Sequence, residues 1–210
     1  MDDDEHGLDA AYALRTPQDS LRYYAGWAER YDSAFAGAMD YRAPAIIAAA
    51  YAALGGDGPV LDVGAGTGLV AEALGRIGIG PVDGVDISAE MLAKALAKGV
   101  CRATVVADLT QPLPIADGAY RGIVSAGTFT TGHVGPEAFG ELLRVSAPGA
   151  LFAISVHSAV YQDRGFAAAF AALDAGITGF RTESYAIYGP GADGAHRDDR
   201  GWIVSFRKAV

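Results

Sequence analysis

LDVGAGTGL, residues 61–69, ends an apolar run, turns on glycines and opens a helix-period run, which is the pattern of a parallel strand handing over to its crossover helix. At such a turn the missing Cβ lets backbone approach a ligand closely, and the helix N-terminus presents unpaired N–H groups. A nucleotide-like cofactor is implied. Taken alone, glycines at this spacing also suit a tight turn with no ligand, so the flanking sequence has to decide.

Working outward, short apolar runs alternate with helix-period runs. Strands are predicted at Val60–Val63, Val82–Asp86, Ala103–Ala107, Gly122–Ala126 and Ala150–His157. Between the first two, Val70, Ala73, Leu74 and Ile77 share a helical face. Between the next two, Ser88 is an N-cap candidate, Glu90 suits the first-turn dipole, and Gly99 closes the helix. Pro136 starts a helix that Pro148-Gly149 turns into the fifth strand, and residues 166–175 read as helix. Arg181–Tyr188 and Trp202–Lys208 then read as a closing antiparallel pair. Upstream, Leu21, Tyr24, Trp27, Ala28 and Tyr31 recur at helical spacing, and Ala45–Leu54 is a second apolar helix behind Pro44. The expected architecture is α/β: a doubly wound, mostly parallel sheet of seven strands with an N-terminal helical flap. Residues 1–19 are expected as an acidic tail and 20–210 as one domain, with the flap at 20–54 and the core at 59–210.

Composition narrows the function. A formal charge of −9 over 210 residues opposes a phosphate backbone, so nucleic acid is not an expected partner. Cys101 is the only cysteine and no Cys/His cluster has metal-ligand spacing, so neither a disulfide nor a metal is expected. MDDDEHGLDA lacks a secretory pattern and no run suits a membrane span, which predicts a cytoplasmic protein.

The acids then refine the ligand. Asp86 ends the second predicted strand 22 residues after Gly64, where a carboxylate accepts from both ribose hydroxyls. Asp108, after the third strand in ADLTQPLP, is placed either to accept from an adenine amino group or to cap its own turn. The dinucleotide fingerprint needs a third glycine where Leu69 stands, which weakens an NAD-type oxidoreductase reading.

With LDVGAGTG, Val85-Asp86-Ile87 and Ala107-Asp108-Leu109 in this order, the chain resembles the class I S-adenosylmethionine-dependent methyltransferases over residues 20–157. YYAGWAERYD, YRAP, DGVDISAEMLAKA and SAGTFTTGHVGPEAF are similar to the methyltransferase-like group of the Williams-Beuren syndrome region. The resemblance implies a Rossmann-like fold and S-adenosylmethionine as cofactor. In it Gly64, Ala65, Gly66 and Gly68 wrap the methionine and ribose, and Asp62 orients the loop and the amino group. Asp86 holds the ribose, Ile87 and Met91 pack on adenine, Asp108 and the Leu109 N–H read its edge, and Ser125 joins the site. Tyr24, Trp27 and Tyr31 either cover a sulfonium with ring faces or simply pack the flap. One departure is Tyr120-Arg121, where the family has an aromatic residue followed by Asp. His133, in SAGTFTTGH, is the candidate general base or else a structural hydrogen-bond partner. The expected acceptor is a small molecule, and a cofactor-binding module without catalysis is the other alternative.

Overall fold

A computed structural model gives the structure of residues 10, 14, 19, 21–23, 31–37 and 39–210. The acidic residues 1–9, and Tyr24 and Trp27 of the flap, lie outside the described residues.

Seven strands form one sheet: β1 (Val60–Val63), β2 (Val82–Asp86), β3 (Ala103–Val106), β4 (Tyr120–Phe129), β5 (Ser146–His157), β6 (Ile177–Ala186) and β7 (Arg200–Lys208). Their order is β3-β2-β1-β4-β5-β7-β6. The first five pair in parallel, while β7 lies antiparallel between β5 and β6. The order reverses at β1, so the crevice at the strands' carboxyl ends opens between β1 and β4, where ligands bind in such folds.

Helices cover both faces. On one side lie α1 (Ala43–Ala53), α2 (Leu69–Arg76) and α3 (Ala89–Ala97), whose Ile47, Tyr51, Val70, Leu74 and Ala95 share a core with Val60, Val124 and Leu151. On the other lie α4 (Phe139–Val145), α5 (Ser158–Asp163) and α6 (Phe166–Ala172), where Phe139, Phe166 and Phe170 pack with Phe129, Phe152 and Phe206. Ser88 caps α3 as expected, accepting the Met91 N–H at 3.2 Å. The departure at Tyr120-Arg121 leaves the sheet braced. The Tyr120 hydroxyl donates to Asp83, and Arg121 pairs with Asp57 at 2.8 Å. Among the described residues no helix is long and apolar enough to cross a membrane.

Three strand ends differ from expectation by three residues or more, each for a local reason. β4 runs on to Phe129 through a bulge, with Ser125 opposite Ile154 but Phe129 opposite Val156. Gly127 at φ 85° supplies the kink. β5 starts at Ser146 because Pro148-Gly149 loops out within the strand and not before it. β6 begins at Ile177, ahead of the expected Arg181, since a third irregularity, between Thr178 and Arg181, carries the ladder across Gly179. The flap's described part adds a π-helical segment, Tyr31–Gly37.

Candidate functional site

The glycine turn after β1 is pinned to the sheet, because the Gly64 and Ala65 N–H groups both donate to the Val85 carbonyl at 2.8 and 3.0 Å. Gly64 sits at φ 65° against the β4 bulge, where a Cβ would lie 1.9 Å from the Thr128 hydroxyl. Gly66, at φ 52°, is different. Its nearest neighbour to a Cβ would be Met91 Cε at 3.9 Å, so bare backbone faces open space there.

That space is a cavity of about 300 Å³ at the carboxyl edge of the sheet. Gly64, Ala65, Gly66, Asp86, Ile87, Met91, Asp108 and Leu109 line it together, though they come from two separate βα junctions and the β3–β4 loop. Asp86 accepts the Gly66 N–H through Oδ2 at 2.8 Å and the Ser88 N–H through Oδ1 at 2.9 Å. Burial pushes its pKa up, and those N–H bonds pull the other way. A carboxylate has about four acceptor positions, so the same oxygens still have lone pairs to offer a diol. Asp108 caps its own turn at the cavity's edge. Its Oδ1 accepts from the Thr110 N–H and hydroxyl at 2.9 and 2.7 Å, and it also lines the cavity. Asp86→Ala is expected to weaken S-adenosylhomocysteine binding about 10 to 100-fold, from roughly 1.5–3 kcal/mol of charged hydrogen bonding. Titration calorimetry checks this, and an unchanged dissociation constant removes Asp86 from the site.

Three expected residues are placed differently from one another. Tyr31 lines the cavity. Asp62 lies 1% exposed within β1, and neither carboxylate oxygen has a hydrogen-bond partner. The Ala71 N–H, in the first turn of α2, favours its charged form without closing a normal hydrogen bond. Burial, with Asp86 nearby, raises the Asp62 pKa to about 7. Ser125 is a correction: it is fully buried, and its hydroxyl donates to the Val63 carbonyl at 2.6 Å, tying β4 to β1 behind the site. The bulge explains this, since it is Ala126, Gly127 and Thr128 that turn into the cavity.

The far end of the cavity is walled by Gly132, His133, Val134, Glu137 and Arg164. His133 Nδ1 lies 2.8 Å from the Thr131 carbonyl, which can only accept, so the neutral ring carries its proton on Nδ1 and its lone pair on Nε2. Burial lowers its pKa, as does the Arg164 cation, which favours that neutral ring at physiological pH. His157 is occupied elsewhere, capping α5 and meeting Asp199 at 3.3 Å. The thiol of Cys101 is buried and pushed up to about 12, as befits a packing residue.

Sequence reasoning missed a latch between flap and loop. Asp32 Oδ1 accepts the Thr67 hydroxyl at 2.5 Å, Asp32 also pairs with Lys98, and Lys98 Nζ donates to the Thr67 carbonyl at 2.9 Å. Asp32 lies within the same YYAGWAERYD segment as the flap aromatics, but only the folded chain brings it to residue 67.

The methyltransferase-domain family matches residues 61–154. Human methyltransferase-like protein 27 is 34% identical over 154 residues, which are 71% of this chain and 62% of that protein. The matched region is a methyltransferase domain of the class I S-adenosylmethionine-dependent kind. The chain thus spans less than two thirds of the human relative's length. Among solved structures, the cyclase SpnF superposes with TM-score 0.70 at 18% identity, covering 94% of this chain and 98% of that one. Phosphoethanolamine N-methyltransferase 2 of Haemonchus contortus, in complex with phosphomonomethylethanolamine and S-adenosylhomocysteine, gives 0.63 at 17%, covering 93% and 59%. At such identities the likeness is one of fold, and a fold shared with a cyclase does not by itself specify methyl transfer.

Proposed function

We propose that the protein binds S-adenosylmethionine in this cavity and moves its methyl group to a nucleophile on a small-molecule acceptor. The observation that carries the reading is the convergence of Gly66, Asp86 and Asp108, from the loops that follow β1, β2 and β3, on one cavity of about 300 Å³. The residues fit the cofactor part by part along the sheet order. Asp108 and Leu109 at the β3 edge suit the adenine rim, with Ile87 and Met91 as an apolar slab. Asp86 suits the ribose diol, and the open backbone at Gly66 suits the chain leading to sulfur. Asp62 is a buried acid without a partner beneath the methionine end, where an ammonium group would favour its charged form.

Bound there, the cofactor supplies a methyl carbon on a sulfonium, which an acceptor's lone pair attacks in line while the carbon–sulfur pair returns to sulfur. The protein's part is alignment and exclusion of water. Tyr31, held over the loop by the Asp32 latch, covers the cofactor side. His133 stands at the acceptor side, with Nε2 the basic atom that takes the nucleophile's proton. A small acceptor agrees with the cavity's size and with a net charge of −9, and a cytoplasmic setting belongs to the same reading.

S-adenosylhomocysteine at about 100 times its dissociation constant should add roughly 2.7 kcal/mol, raising the melting temperature by about 5–10 °C, and NAD should not. Stabilisation by NAD instead would end this reading. Incubation with methyl-labelled cofactor and a metabolite extract should then yield a labelled small product, whereas binding without any product would leave a cofactor-binding module.

A further inference from the structure

Arg164 enters the site by a route that has nothing to do with the cofactor motifs. It follows α5 and lines the cavity beside His133, beyond the β4 bulge, at the end opposite Asp108. Its Nη1 donates to the His133 carbonyl at 2.8 Å and to the Thr130 carbonyl at 3.4 Å, so the loop carrying His133 holds the guanidinium in place. Those carbonyls occupy one nitrogen of a group with five donors. Among the described residues no carboxylate pairs with it. Glu137, the other charged residue in this half of the cavity, accepts the Gly135 N–H at 3.0 Å and makes no ion pair with Arg164. A cation kept out of ion pairs, in a chain with an excess of acids, stands where an acceptor would enter.

Resting on the methyltransferase reading above, we infer that Arg164 anchors an anionic group, a carboxylate or a phosphate, on the methyl acceptor. A guanidinium binds either oxyanion through two parallel N–H bonds, fixing orientation as well as position. The loop contacts join this anchor to His133, so an acceptor held by its anion would present its nucleophile toward the His133 ring. Glu137, on the same wall, would repel a misplaced anion and narrow the docking to Arg164.

The test uses the full chain saturated with S-adenosylhomocysteine and three probes: phenyl phosphate, phenylacetate and the uncharged phenylacetamide. At least one anion should bind saturably by calorimetry and the amide should not, with the two anion arms telling phosphate from carboxylate. Arg164→Gln, which keeps an N–H donor for the loop carbonyls, should weaken the anion about tenfold or more, and Arg164→Lys should recover part of that loss. Affinity for S-adenosylhomocysteine should stay within about twofold in both variants. The inference is overturned if neither anion binds, or if the anion binds Arg164→Gln as well as the parent. It is equally overturned if Arg164→Gln loses about tenfold in S-adenosylhomocysteine affinity, since Arg164 would then serve the cofactor's own carboxylate. Failure of S-adenosylhomocysteine to bind the parent protein would remove the underlying reading and this inference with it.

Discussion

Gly64→Ala is expected to abolish measurable cofactor binding and to lower the melting temperature by about 6–12 °C. Two costs add. An alanine at φ 65° pays about 1–2 kcal/mol for the left-handed conformation, and its Cβ would lie 1.9 Å from the Thr128 hydroxyl. Thr128 is nearly buried and its hydroxyl donates to the Val63 carbonyl at 2.9 Å, so it cannot swing aside without losing that bond. The loop must move instead, by more than the few tenths of an ångström a packed site absorbs. A total near 3 kcal/mol, at about 2–4 °C per kcal/mol for a chain of this size, gives the expected shift. Displacing the loop also withdraws Gly66 from Asp86, so affinity for S-adenosylhomocysteine should fall by about 100-fold or more. Adding Thr128→Ala should restore part of the stability non-additively, which marks the clash as the cause. Gly66→Ala is the contrast, with strain of about 1 kcal/mol and no clash. A Gly64→Ala protein that melts and binds like the parent would refute the close approach of loop and bulge.

Asp62→Asn should make the protein more stable at pH 8 and give the two proteins different pH profiles. The folded-state pKa of Asp62, about 7, lies above its ordinary value of 3.8, so the folded chain holds this proton more tightly than the unfolded chain. Below about pH 4 the group is neutral in both states and carries no pH-dependent penalty. As pH rises from about 4 to 7 the unfolded state gains by ionising while the folded state does not, and stability falls, with the loss complete above about 7. At 1.36 kcal/mol per pH step the ceiling is roughly 4 kcal/mol. A buried amide without a partner has its own cost of about 1–3 kcal/mol, so the net gain at pH 8 is the smaller part of that ceiling. The informative quantity is the difference in urea unfolding free energy, Asn variant minus parent, measured from pH 4 to 8. It should climb steadily toward pH 7 and then level. Parallel curves would mean that Asp62 titrates normally and is not a buried acid without a partner.

How far the chain could be read in advance follows from where its signals lie. β1 and β2 emerged at their observed bounds because glycine turns punctuate both and every residue of β1 is buried. Asp86 was legible because the βαβ unit fixes its distance from Gly64. Ser88 and Gly99 were legible because caps are local chemistry. What stayed hidden was set by contacts distant in sequence. The Asp32–Thr67–Lys98 latch joins segments more than thirty residues apart. Ser125 was misplaced because residue alternation along β4 does not announce a bulge, and the bulge decides which side chains face the cavity. Arg164 ends a short helix whose six residues, SAVYQD, carry too little periodicity to be read. The half of the cavity at Asp86 and Asp108 was therefore written in motifs, and the half at His133 and Arg164 was assembled by packing.

A crystal structure with S-adenosylhomocysteine tests the central claim most directly. The account predicts the adenine rim against Asp108 and Leu109, both ribose hydroxyls within about 3 Å of the Asp86 carboxylate, and the sulfur beside the Gly64–Gly66 turn. Density elsewhere, or a ribose turned away from Asp86 while the turn stays unvisited, would contradict it.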